Sequence, residues 1–176
     1  MHIKLEGITI VVSIALGIVA CGEHSATFQT ATVNQMENRG KLAYRKGGAR
    51  PFTGMVKGSF PDGHAQSTFH YKDGKRHGLA VTYYQNGHIN TSLTYVDGAP
   101  QGLVTVYYEN GHKLADVPVL DGKAQGLVTE YGEDGNKVSE CDYLAGFKRG
   151  TCKQWGKNGF YQQYKVLGGG EGLQFE

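Results

Sequence analysis

The sequence predicts an all-β chain: tandem 24-residue β-hairpin repeats forming an elongated, twisted, single-layer antiparallel sheet. Three observations predict it. The 176 residues hold 27 glycines and 11 tyrosines against 4 prolines and 1 tryptophan, a composition suited to short strands joined by tight turns. No long stretch spaces its apolar residues as an amphipathic helix requires. From Tyr71 onward the sequence repeats itself every 24 residues without a gap, so each unit is one supersecondary element that stacks on the next.

Residues 1–20 stand apart from the repeats. Met1–Gly7 carries Lys4 and is followed by the apolar run Ile8–Ala20, which ends at Cys21. The run is too short for an ordinary membrane span and suits the core of a signal peptide. The ending Ile18-Val19-Ala20-Cys21 resembles the lipobox of bacterial lipoproteins, which implies cleavage before Cys21 and a lipid on its thiol. Gly22 after the anchor, in place of aspartate, implies an outer-membrane protein facing the periplasm if the organism is Gram-negative. The alternative is an ordinary secretory signal with an incidental cysteine, and Glu6 departs from the usual basic region. Residues 21–39, rich in Ser, Thr and Gln, are expected to be the lipid anchor and a flexible tether. Residues 40–167 are the expected repeat domain and residues 168–176, glycine-rich, a flexible tail. The net charge of +2 is unchanged by removal of residues 1–20. It gives no reason to expect nucleic acid or an acidic partner.

The four full units run YKDGKRHGLAVTYYQNGHINTSLT, YVDGAPQGLVTVYYENGHKLADVP, VLDGKAQGLVTEYGEDGNKVSECD and YLAGFKRGTCKQWGKNGFYQQYKV. Glycines recur in phase at Gly74, Gly98, Gly122 and Gly146, at Gly78, Gly102, Gly126 and Gly150, and at Gly87, Gly111, Gly135 and Gly159. A divergent unit over Tyr44–His70 precedes them. Asn86-Gly87, Asn110-Gly111, Asp134-Gly135 and Asn158-Gly159 are dipeptides that accept positive φ, and predict two-residue hairpin turns. The DGxxxG segments predict the longer turn. Strands are then expected near 79–85, 88–96, 102–109, 112–120, 126–132, 136–144, 150–156 and 159–166. In the first hairpin Tyr84 opposes Ile89, Thr82 opposes Thr91 and Ala80 opposes Leu93 on one face, while Leu79, Val81 and Tyr83 share the other. Both faces are partly apolar.

The unit YxxGkxxGxxxxYYxNG resembles the MORN-repeat variant of the YwqK-type antitoxin family, and Gly40-Lys41-Leu42-Ala43-Tyr44 followed by Pro51-Phe52-Thr53-Gly54 is similar to its opening unit. The resemblance covers about Gly40–Val166 and implies a repeat ribbon that neutralises a toxin by direct binding. The last unit departs from the pattern at Trp155 and Gly156, as a terminal cap does.

Cys141 and Cys152 lie on consecutive strands, equidistant from the turn around Gly146, so the hairpin register opposes them and an oxidising compartment would join them. The alternative is two unrelated small buried residues. His64, His88 and His112 recur once per repeat at roughly 9.6 Å, too far apart to ligate one metal ion, and read as consensus surface residues. His70 and His77 flank a loop with no serine or carboxylate placed beside them. No catalytic set, metal or cofactor is expected. Tyr83, Tyr107, Tyr131 and Trp155 occupy one repeat position and form an expected aromatic row for a protein partner, with the face around Tyr84 and Tyr108 as the other candidate. Three readings of function stay open: a lipid-anchored immunity protein with a cognate toxin as partner, a structural or scaffolding lipoprotein, and an enzyme with dispersed residues, for which no motif speaks.

Overall fold

A computed structural model describes residues 29–156, 159–166 and 173–175. The expected signal peptide, Cys21 and residues 168–172 of the tail lie outside the described residues. The strands are β1 (Gln29–Thr32), β2 (Met36–Arg39), β3 (Leu42–Arg45), β4 (Gly54–Ser59), β5 (Ala65–Lys72), β6 (Lys75–Tyr83), β7 (Ile89–Val96), β8 (Ala99–Tyr107), β9 (Lys113–Leu120), β10 (Lys123–Ala124), β11 (Gly126–Tyr131), β12 (Lys137–Leu144), β13 (Phe147–Trp155) and β14 (Tyr161–Lys165). One 12-stranded sheet runs β1-β4-β5-β6-β7-β8-β9-β11-β12-β13-β14, with β10 beside β9, and β2 and β3 form a separate hairpin. The chain is therefore all-β, one long sheet of hairpin repeats. The sheet is mixed rather than wholly antiparallel, because β1 pairs parallel to β4.

The two turns of each repeat have exchanged roles relative to the sequence expectation. The two-residue turns are Asp73-Gly74, Asp97-Gly98, Asp121-Gly122 and Ala145-Gly146, each with both residues at positive φ, for example +50° at Asp97 and +95° at Gly98. That is the type I′ geometry whose twist suits a hairpin. The Asn-Gly segments close three-residue loops instead. Tyr84 N–H donates to His88 O at 2.8 Å, Gly87 N–H donates to Tyr84 O at 3.0 Å, and only Gly87 takes positive φ. This is a type I turn followed by a left-handed glycine. Strands consequently begin right after the Asp-Gly turns, up to four residues earlier than expected.

The second of the phased glycines marks a bulge. Around Gly102, Thr94 pairs with Gln101 but Ser92 pairs with Thr105, so Leu93 faces a segment of three residues. Such an insertion bends the strand. It also slides the ladder by two residues and brings Leu93 level with Val104. The same slip recurs at Gly150, where Leu144 pairs with Phe147 but Glu140 with Lys153. A regular ladder from that turn would oppose Cys141 to Gly150; the bulge opposes it to Cys152 instead. The two cysteines are joined by a disulfide with a Cα–Cα distance of 4.4 Å. Phe69/Ala80, Leu93/Val104 and Val117/Val128 are the equivalent pairs in earlier repeats, so the bridge is the covalent version of the core pair.

Among the described residues of the repeats the apolar core lies on one face, while Thr105 and Thr129 are buried on the other. Ala80, Leu93, Tyr95, Val104, Val117, Val128, Cys141 and Cys152 form a continuous core, with Val104 fully buried. At one end of the array a smaller cluster of Ala31, Phe52 and Val56 packs against Met36 and Tyr71. Phe52 meets Tyr71 edge-on at 6.2 Å, and Thr53 Oγ1 accepts the Asp73 N–H at 2.9 Å. The Pro-Phe-Thr-Gly segment is thus the piece that docks the first repeat.

Two expectations for the chain ends need correction. Residues 29–39 of the expected tether are folded: β1 adds to the sheet, and β2 pairs with β3. Residues 173–175 of the expected tail lie against the two-residue turns at Asp121-Gly122 and Ala145-Gly146, with Leu173 N–H donating to Gly146 O and Phe175 N–H to Gly122 O. Leu173 and Phe175 pack on the core there. Burial of these side chains offsets the entropy of ordering the segment.

The parallel pairing of β1 depends on Gly54, at φ +149°, where a Cβ would lie 2.1 Å from the Gln29 carbonyl oxygen. Gly54→Ala is expected to cost about 2–3 kcal/mol. Gly63→Ala, also at positive φ but with open space around it, is expected to cost about 1 kcal/mol. Urea denaturation of both variants checks this; equal losses would mean that β1 does not sit against Gly54.

Candidate functional site

Among the described residues nothing covers the face opposite the core. Leu79, Leu103 and Leu127 share one repeat position there and remain 50%, 51% and 48% exposed. Strand alternation puts Val96, Leu120, Leu144 and Phe147 on the same face, and each is more than two-fifths exposed. Two aliphatic rows of this regularity form a larger exposed apolar surface than scattered single residues do. The leucines recur at one position of the 24-residue repeat, as the tyrosines do.

Tyr83, Tyr107, Tyr131 and Trp155 lie along this face, half-buried, beside the leucines. They do not form the continuous aromatic row that was expected. Their cross-strand partners are Ile89, Lys113, Lys137 and Tyr161, so two lysines interleave the row. Lys113 Nζ donates to Asp116 Oδ2 at 2.8 Å, and Lys137 pairs with Glu140. Lys137 Nζ also lies 5.4 Å from the Trp155 ring centre, within cation–π range. The resulting strip alternates aromatic rings and cations, with carboxylates beneath.

Asp116 is the polar hub of the strip. Its side chain is 18% exposed, and it accepts from Thr105 Oγ1 at 2.9 Å and from the Tyr131 hydroxyl at 3.2 Å. Burial, the largest single influence, pushes its carboxyl up, but Lys113, Thr105 and Tyr131 together outweigh it and hold the group below the usual carboxylate value. The hydrogen bond to Asp116 raises Lys113 above the usual lysine value.

The other face uses its tyrosines to stitch neighbouring repeats. Tyr84 donates its hydroxyl to Tyr107 O at 2.7 Å, and Tyr108 donates to Tyr131 O at 2.9 Å. The Asn-Gly turns do the same at the sheet margin. Asn86 Nδ2 and His88 Nδ1 both reach Glu109 O, at 2.8 and 2.6 Å, and Asn110 and His112 reach Glu133 O in the same way. At the opposite margin Gly98, Gly122 and Gly146 N–H groups donate to Arg76, Pro100 and Ala124 carbonyls. The recurring histidines His88 and His112 are therefore structural donors, and His64 sits apart beside Asp62. His70 Nδ1 lies 2.6 Å from Leu79 O across the first bulge, and His77 neighbours Asp97.

The MORN repeat variant family matches residues 76–97 and 100–119, so two adjacent units of the array carry that repeat. No curated protein matches the chain. Among solved structures, a chain of the GtfA/B complex bound to UDP and GlcNAc is similar at 12% identity and a TM-score of 0.25, over 74% of this chain. This chain spans 23% of that one's length.

Because the Asp116 carboxyl is held below its unfolded value of about 3.9, its stabilising effect is complete above that pH and disappears as pH falls through the lower folded value. Asp116→Asn is expected to lower stability at pH 7 by about 1–2 kcal/mol. The gap from wild type should close once the wild-type carboxyl is protonated. Thermal melts across the acid range check this, and a gap that persists there would deny the ionised carboxylate its role.

Proposed function

We propose that this chain is a lipid-anchored envelope protein that binds a protein partner through its uncovered sheet face. The observation that carries the reading is the pair of half-exposed aliphatic rows, led by Leu79, Leu103 and Leu127, beside the strip of Tyr83, Tyr107, Tyr131 and Trp155. Apolar and aromatic side chains presented by a rigid sheet cost little entropy to dock. The resemblance to the YwqK-type antitoxin family supports the finer reading that the partner is a toxin, neutralised by direct contact. The sequence around Cys21 supports the anchor. The proposed activity is binding rather than catalysis, and neither nucleic acid nor a cofactor has a part in it.

A scaffolding lipoprotein is the second reading. The exposed edge strand β14 favours it, because every residue from Tyr161 to Lys165 is exposed at the end of the array, and an open edge can pair with another chain.

A photo-reactive residue at position 103 in cells should capture one partner, and Tyr107→Ala should weaken that partner by about 2 kcal/mol or more. The cost to fold stability should be smaller, about 0.2–1 kcal/mol. Cys21→Ser should abolish lipid incorporation and release the protein from the membrane. Full affinity in a Leu103→Glu, Tyr107→Ala double variant would overturn the assignment of the face. A resident envelope protein as the captured species, without toxin sensitivity on deletion, would favour the scaffold.

A further inference from the structure

The row of stitching tyrosines stops where Gly132 and Gly156 occupy the repeat positions of Tyr84 and Tyr108. A cavity of about 660 Å³ opens at that point, lined by Gly132, Lys137, Val138, Trp155 and Gly156 among others. Val138, which lines the cavity, is the repeat equivalent of Leu114, so an apolar side chain is kept at that position. The acceptors of the two hydroxyls already described are the carbonyls 23 residues further on, those of Tyr107 and Tyr131. At the same offset from Gly132 stands the carbonyl of Trp155.

We propose that this cavity is a binding slot for the tyrosine side chain of a protein partner, its phenol donating to the Trp155 carbonyl as Tyr84 and Tyr108 donate to their own acceptors. The chain itself supplies the precedent for both ring and hydroxyl. Twice in the array the same backbone frame holds a tyrosine, and in the third unit the frame remains while the side chain is missing. Gly132 has no positive φ that would demand glycine, and the nearest atom to an added Cβ is Asp134 Oδ1, at 2.9 Å, the end of a side chain that can turn aside. The glycine thus serves no backbone geometry that a tyrosine would violate. The slot is separate from the leucine rows, so it adds a tyrosine-specific contact to whatever the uncovered face binds.

The test uses p-cresol, the tyrosine side chain without its backbone, and the full chain. Trp155 is the sole tryptophan, so a single indole N–H resonance reports on the site. That resonance should shift saturably with p-cresol, and toluene should bind about fivefold more weakly, the worth of one hydrogen bond. Gly132→Tyr should abolish the shift and raise the melting temperature by filling the slot from within. In case that variant does not fold, Tyr108→Gly opens an equivalent slot beside Tyr131, and p-cresol should raise its melting temperature. No saturable shift in wild type, or undiminished binding by a folded Gly132→Tyr, would overturn the proposal; equal binding of toluene would remove the phenol contact from it. None of these readouts needs a partner, so failure here is distinct from failure of the uncovered face.

Discussion

The fold depends on a repeated bend. Once per unit a strand turns at a glycine of positive φ, such as Gly102 at +83°, and the ladder slips by two residues. Without that slip the core positions would be misaligned: Leu93 would stand opposite Gly102, which has no side chain, and Val104 would lose its partner. With the slip, apolar faces apolar at each of these core pairs, and the last pair is close enough to be bonded covalently as Cys141–Cys152. Because the shift is by two and not one, it moves partners without exchanging faces. The apolar residues at even positions of β8 stay inside and Leu103 stays out.

Everything else in the repeat follows from holding bent hairpins side by side. Three sets of contacts join the first full unit to the second and the second to the third: glycine N–H groups at one margin, asparagine and histidine side chains at the other, and tyrosine hydroxyls between them. Each uses a backbone carbonyl of the neighbouring unit as acceptor. That arrangement leaves the leucine rows of the opposite face without inter-repeat hydrogen bonds of their own and open to a partner; inter-repeat side-chain contacts there include the Tyr131 hydroxyl on Asp116. It also explains why the third unit, with Gly132, Asp134 and Asn136 at the stitching positions, has a cavity where its predecessors have a seam, and why a disulfide secures the unit after it.

The repeat length, the all-β class and the pairing of the two cysteines were legible in the sequence, because period and parity are local properties. The turn types were not. Asn-Gly and Asp-Gly both tolerate positive φ, and composition cannot rank them. What separates them is that Asn86 sends its amide to Glu109 O of the next unit, whereas Asp97 takes the positive φ of a two-residue turn. The cysteine pairing was inferred from symmetry about Gly146, while the actual turn centre lies between Ala145 and Gly146 and the bulge makes up the difference. Strand β1 was missed because a parallel pairing between Gln29 and Gly54 leaves no periodic trace in a polar segment; Gly54 was its one signal. Among the binding candidates, the tyrosines drew attention through residue type, but only the structure shows that lysines divide their row and that leucines dominate the exposed surface.

Hydroxyl-radical footprinting of the isolated protein tests the central claim most directly, since it compares neighbours on one strand. The account predicts rapid oxidation of Leu79, Leu103 and Leu127 and strong protection of Leu93, Val104 and Val117. Comparable oxidation of Leu103 and Val104, or the reverse order, would contradict a sheet with one buried and one uncovered face.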